Sequence, residues 1–335
     1  MRADAVAPNG SGIAGVGEAR VRICEVGPRD GLQNLAACIP TARKIDLIRR
    51  LADAGLKHIQ IGAFVNPQAI PQFADIEAVA GGVRDLGGVT LSALVPNVRG
   101  ARRAVASGID TLVFFFSVSR SHNLANVRQT PEESLAALEV IRTDVLPGSG
   151  ATLRVDLATA FGCPFEGRIA TETVLAYVHR VAEAGIGEIT LCDTVGVGNP
   201  RQTEALARAC REAFPEIAFG MHFHDTRGLA LANALKAWEA GIRSFDGALG
   251  GLGGCPFAPG ATGNVATEDL AYLFSEMGIE TGVSPGALLA AGGFLREIIP
   301  GLALTSALAR AGLPVRHPFP ERPAAGDVSS ARKIR

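Results

Sequence analysis

The stretch IAFGMHFHDTRGLALANALKAWEAG (217–241) reads as one strand followed by one helix. Its first eight residues, IAFGMHFH, are almost wholly apolar, as in a strand buried on both faces of a parallel sheet. In LALANALKAWEAG (229–241), apolar residues return at three- and four-residue spacing, and Gly241 stands where a left-handed C-cap is expected. Between strand and helix lies the polar joint HDTRG. His222 and His224 are two residues apart, so their side chains share one face of the strand. Two imidazoles on one face at a strand's C-terminal end form half of a metal site; the alternative is a pair of hydrogen-bonded core histidines.

The same unit recurs outward in both directions. Further strands are read at VRICEV (21–26), HIQIGAF (58–64), VTLSALV (89–95), DTLVFFF (110–116), TLRVDLA (152–158), EITLCD (188–193) and SFDGALG (244–250). Helical patterns fall between them at 41–55, 97–108, 130–146, 171–185 and 199–214, and another follows the eighth strand at 267–278. Thr130-Pro131-Glu132-Glu133 has the form of an N-cap, a proline at the first helical position and an acidic first turn. Eight β-then-α units predict an α/β fold of the (β/α)8 TIM barrel class. A doubly wound open sheet is the runner-up, but no GxGxxG follows the first strand. The expected division is a disordered leader at 1–20, a catalytic barrel at 21–283, a C-terminal helical extension at 284–313 and a flexible tail at 314–335.

Composition narrows the function classes. The 335 residues carry a net charge of −1, which gives no electrostatic reason to expect nucleic acid or an anionic membrane as partner. No apolar run is long enough to span a bilayer, and the first 20 residues lack a continuous apolar segment. The six cysteines, Cys24, Cys38, Cys163, Cys192, Cys210 and Cys255, form no CxxC pair, which favours a reducing compartment. The expectation is a cytoplasmic enzyme.

In a (β/α)8 barrel, chemistry sits where strands end and βα loops begin. Four such segments are unusually polar or glycine-rich: GPRDGLQN, CDTVGVGNP, HFHDTRG and GGLGGCPFAPGATGNVATED. Asp30 lies at the mouth of the first strand, and Asn264 in the last segment could supply an amide oxygen. With His222 and His224, these donors suit an octahedral Mg2+, Mn2+ or related cation with positions left for substrate. Asp30 also reads equally well as a turn residue in Arg-Asp-Gly. Arg29 could stabilise charge on a reacting oxygen, or form an ordinary ion pair. Cys255, in a glycine-rich loop over such a site, could donate or accept a proton, whereas the other cysteines read as buried and inert. Glu268 and Asp269 fall in the first turn of the following helix, where carboxylates complement the dipole.

Together, EVGPRDGLQN (25–34), GCPFEGRI (162–169), DTVGVGNP (193–200), HFHDTRGLALAN (222–233) and GGLGGCPFAPGATGNVATEDL (250–270) resemble 3-hydroxy-3-methylglutaryl-CoA lyases, within the superfamily of metal-dependent lyase and aldolase barrels. The resemblance covers about residues 20 to 280. It implies a divalent cation among Asp30, His222, His224 and Asn264, with Arg29 stabilising an enolate oxygen and Cys255 as the catalytic thiol. Asp193 would assist proton transfer, His222 would sit at the reacting centre, and Glu268 would support the loop. The implied reaction is retro-Claisen cleavage of hydroxymethylglutaryl-CoA or a related 3-hydroxyacyl-CoA to acetyl-CoA and a keto acid, by a homodimer or higher homo-oligomer. The alternative is a related aldolase or Claisen-type condensing enzyme.

The chain departs from that pattern in places. Leu35-Ala36 replace Glu-Lys after the first motif, and Gln60 replaces a glutamate. SVSRSHNLANV (117–127) lacks the usual acidic residue and lysine run. Gln33, Gln60, Arg120 and His122 are therefore expected to shape the substrate wall, the last two as anion-binding groups.

Overall fold

The computed structural model describes residues 20–254 and 263–316. Eight parallel strands close on themselves: β1 (Arg22–Glu25), β2 (His58–Ala63), β3 (Thr90–Val95), β4 (Thr111–Ser117), β5 (Thr152–Ala158), β8 (Glu188–Asp193), β9 (Ala218–Phe223) and β10 (Ser244–Gly247). Two short antiparallel strands, β6 (Gly162–Cys163) and β7 (Gly167–Arg168), form a hairpin beyond the end of β5. The barrel closes through β1, which pairs with β10 on one side and β2 on the other. The fold is a (β/α)8 barrel.

The helices between the strands are α1 (Thr41–Asp53), α2 (Ile76–Val83), α3 (Val98–Ala106), α4 (Arg120–Val127), α5 (Pro131–Val140), α6 (Thr171–Glu183), α7 (Pro200–Ala213) and α8 (Ala230–Glu239). After β10 come α9 (Thr267–Glu276), α10 (Pro285–Ile298) and the short α11 (Ala307–Ala311). Their apolar stripes pack on the barrel: Leu47, Ile48 and Leu51 of α1, and Val174, Val178 and Val181 of α6, are all buried. Truncating such a leucine to alanine typically costs about 2–5 kcal/mol.

Local chemistry sets the helix ends. The Thr130 hydroxyl accepts the Glu133 amide while the Glu133 carboxylate accepts the Thr130 amide, a complete capping box. Gly241 ends α8 at φ 95°, in the left-handed region that disfavours a side chain. The pattern did not foretell α2 and α4. In α2, IEAVAGGV carries consecutive glycines that weaken helix propensity. In α4, RSHNLANV has no apolar stripe and depends on its cap, where the Ser119 hydroxyl accepts the His122 amide.

The segment after β10 leans on the barrel mouth. Asp269 does not simply face its own helix dipole. Its carboxylate accepts the Ser306 hydroxyl and the Ala307 and Leu308 amides at 2.8 Å, capping α11. The Thr305 amide donates to the Gly250 carbonyl at 2.9 Å, so the chain past α10 holds the glycine-rich turn in place.

Candidate active site

At the C-terminal ends of the strands, Asp30, His222 and His224 converge, each buried, with one donor atom apiece all within 4.8 Å of one another. Asp30 arrives on a tight turn, Gly27–Gly31, whose amides at Arg29 and Asp30 fold back onto the Val26 carbonyl. Glu25 secures that turn from below. Its carboxylate accepts the Gly27 amide at 2.7 Å, the Leu249 amide at 2.9 Å and the Thr267 hydroxyl at 2.6 Å. Burial pushes the Glu25 carboxyl up to about 7 despite those donors.

Residues 263–266 then run alongside the end of β9. Asp225 donates its amide to Gly263, Val265 donates to Phe223, and Asn264 bridges to His224. The Asn264 amide nitrogen donates to Asp30 Oδ2 at 2.7 Å and to the Leu252 carbonyl at 2.8 Å. Gly253 lets these groups meet. At φ 117°, a Cβ there would lie 2.4 Å from Asn264 Nδ2 and 3.3 Å from Asp30 Oδ2.

The donor set fits a divalent cation. His224 Nε2 lies 3.5 Å from Asp30 Oδ2, and the His222 and His224 rings stand 5.2 Å apart. Asn264 Oδ1 and His224 Nδ1 are buried with no hydrogen-bond partner among the described residues. Buried orphans of this kind are rare and costly unless a ligand takes them up. A carboxylate, imidazoles and an amide oxygen form a mixed hard and borderline set suited to Mg2+ or Mn2+.

Charge around the cluster is tightly compensated. Burial alone would raise the Asp30 carboxyl, but Arg29, His224 and His222 hold it well below the ordinary carboxylate range. Arg29 reaches Asp30 Oδ1 with one guanidinium nitrogen and the Gln60 side-chain oxygen with another. On the far side of His222, Asp246 Oδ2 stands 3.2 Å from Nδ1. Arg154 is buried between Asp246 and Asp156, with contacts of 2.5 and 3.0 Å to the first and 2.7 and 3.2 Å to the second. Asp246 and Arg154 border the cluster and are absent from the motifs that point to it. The signal was present, since Arg154 and Asp156 in TLRVDLA share one strand face by the same two-residue spacing as the histidines.

A cavity of about 570 Å3 opens over this floor, lined by Arg29, Asp30, Gln33, His122, Arg128, Asp156, His222 and His224 among others. Several expected site residues stand elsewhere. Gln60 is fully buried, accepts a hydrogen bond from Arg29 and does not line the cavity. Arg120 points outward, 63% exposed, and pairs with Glu132 at 3.5 Å; it does not line the cavity. Both carboxylate oxygens of Asp193 accept backbone amides, from Val197 and Gly198 at 2.9 Å, which anchors the loop that follows β8. Both oxygens of Glu268 accept the Gly250 amide, so Glu268 holds the turn that precedes Gly253. Cys255 lies outside the described residues.

The HMGL-like family pattern matches residues 20–294. The chain is 44% identical over 278 residues to the hydroxymethylglutaryl-CoA lyase YngG of Bacillus subtilis, covering 83% of this chain and 93% of that one. It is 40% identical over 302 residues to an (R)-citramalyl-CoA lyase of Chloroflexus aurantiacus, covering 87% and 95% respectively. Among solved structures, an HMG-CoA lyase from Acinetobacter baumannii, in complex with coenzyme A and 3-methylmalate, superposes with a TM-score of 0.85 at 41% identity, covering 91% of this chain and 100% of that one. On fold, motif and the extent of these matches, the chain belongs to the HMGL-like family.

Proposed function

We propose that this protein is a divalent-metal-dependent carbon–carbon lyase that cleaves 3-hydroxy-3-methylglutaryl-CoA, or a closely related 3-hydroxyacyl-CoA, to acetyl-CoA and a keto acid. The observation that carries this reading is the buried Asp30–His222–His224 cluster, with Asn264 beside it, on the floor of an open cavity in a chain of this family. Asp30, His222, His224 and Asn264 would hold the cation, Mg2+ or Mn2+. Bound there, it would supply Lewis-acid polarisation of the substrate's hydroxyl and carbonyl oxygens.

The chain's own groups account for the rest. We assign uptake of the C3 hydroxyl proton to Asp193 at the end of β8; as the proton leaves, that carbon becomes a ketone, the C2–C3 bond breaks, and the bonding electrons pass into the thioester as an enolate. Arg29 faces the cavity with its position fixed by Gln60 and Asp30, so its guanidinium can stabilise the enolate oxygen without rearrangement. A proton returned to the enolate carbon completes acetyl-CoA, and we assign that donation to Cys255. Asp246 keeps the His222 ring oriented, and Arg154 keeps Asp246 charged and in place. Burial raises the Asp246 carboxyl, but Arg154 and His222 outweigh it and hold the group below its ordinary value.

The test is product identification. The metal-loaded protein is incubated separately with hydroxymethylglutaryl-CoA and with citramalyl-CoA, and acetyl-CoA, acetoacetate and pyruvate are followed. Acetyl-CoA released with one matching keto acid supports the reading and fixes the acyl group. Absence of acetyl-CoA from both would overturn it.

A further inference from the structure

Two arginines line the catalytic cavity, and they are not equivalent. Arg29 is deep and already engaged by Asp30 and Gln60. Arg128 is exposed at the mouth, and no carboxylate or other acceptor meets its guanidinium among the described residues. The cavity's two carboxylates are committed on the floor, Asp30 to Arg29 and Asp156 to Arg154. Arg128 is therefore uncompensated positive charge at the entrance.

Its backbone is held there against its preference. Arg128 caps α4 at φ 59° and ψ 31°, a left-handed conformation that arginine adopts only at a cost and that asparagine or glycine would take more readily. Only Arg128 and Thr159 have positive φ among the described non-glycine residues. The turn that carries Arg128 is pinned from inside by Asn123, which is fully buried. Its side-chain oxygen accepts the Ser117 amide at 2.8 Å, and its nitrogen donates to the Gln129 carbonyl and the Ser134 hydroxyl at 2.9 Å. The capping box of α5 begins two residues later, at Thr130. A strained residue on a rigid turn, with an unpaired cation at a cavity mouth, points to a ligand.

We propose that Arg128 anchors the phosphate groups of the substrate's CoA arm. This rests on the acyl-CoA reading of the site. When the acyl end lies over the metal cluster, the nucleotide end of the arm lies at the mouth. There a guanidinium offers paired, charge-assisted hydrogen bonds to phosphate oxygens. The anion-binding role expected of Arg120 passes to Arg128, because α4 turns the first outward against Glu132 and brings the second to the opening.

The experiment is calorimetric titration of the Mg2+-loaded protein with CoA and with pantetheine, which lacks the phosphates, in wild type, Arg128→Asn and Arg120→Ala. Asparagine suits the left-handed backbone, so Arg128→Asn keeps the fold. The expected result is CoA binding weakened about tenfold in Arg128→Asn, pantetheine binding unchanged, and Arg120→Ala like wild type. Restoration of CoA affinity in Arg128→Lys at low salt would support a charge contact. Equal weakening of CoA and pantetheine would place Arg128 at the acyl end and overturn the proposal, as would undiminished CoA binding in Arg128→Asn. Arginine-dependent CoA binding without any acyl-CoA cleavage would overturn the lyase reading alone.

Discussion

His222 and Asp246 stand opposite each other in register across β9 and β10, with Nδ1 3.2 Å from the carboxylate. In the proposed site this contact would orient the His222 ring and leave its Nε2 for the cation. Asp246→Asn keeps the volume but turns an amide nitrogen toward either His222 or the Arg154 guanidinium. Cation affinity should fall about 10- to 100-fold, read by Mn2+ titration with electron paramagnetic resonance. Unchanged Mn2+ affinity would mean that Asp246 belongs to the Arg154 ion pair alone.

Gly253 sets the distance between Asp30 and Asn264. Gly253→Ala brings a Cβ against Asn264 Nδ2 at a backbone angle alanine resists. The variant should fold, losing about 1–3 kcal/mol from local strain. Its Mn2+ affinity should drop at least about tenfold as Asn264 is displaced. Wild-type affinity in a variant confirmed by its mass would show that Asn264 has no part in holding the ion.

Much of this design is legible in the chain itself, and the misses have physical causes. The alternation of apolar strands with amphipathic helices, and the spacing of His222 and His224, follow from periodicity alone. Periodicity cannot show a helix built on its caps, so α4 reads as a loop, and with it goes the orientation of Arg120 and Arg128. Nor does a motif tell which backbone amides a carboxylate holds. Asp193 and Glu268 sit in the right segments, and both accept amides set by the path of neighbouring loops. Gln60 is similar, since only the packed barrel reveals that it meets Arg29.

Glu25 makes a pH-dependent contribution to stability. Its carboxyl is raised by burial from its ordinary value of 4.5 to about 7, so the folded state holds a proton that the unfolded chain releases near pH 4.5. The stabilisation is complete below pH 4.5 and lost as pH rises through about 7, a change of order 3 kcal/mol. Glu25→Gln keeps an acceptor for the Gly27 and Leu249 amides and removes the titration. The wild-type-minus-variant difference in urea unfolding free energy should therefore decline between pH 5 and pH 7.5. A difference flat across that range would show that Glu25 ionises normally.

In the proposed lyase, cleavage depends on a divalent cation held by Asp30, His222, His224 and Asn264. The most direct measurement is acetyl-CoA release from hydroxymethylglutaryl-CoA by protein stripped with EDTA and then titrated with Mg2+ or Mn2+. The expected result is no release from stripped protein, recovery as one ion binds per chain, and no recovery in Asp30→Asn. Full release from protein shown to be free of metal would contradict it.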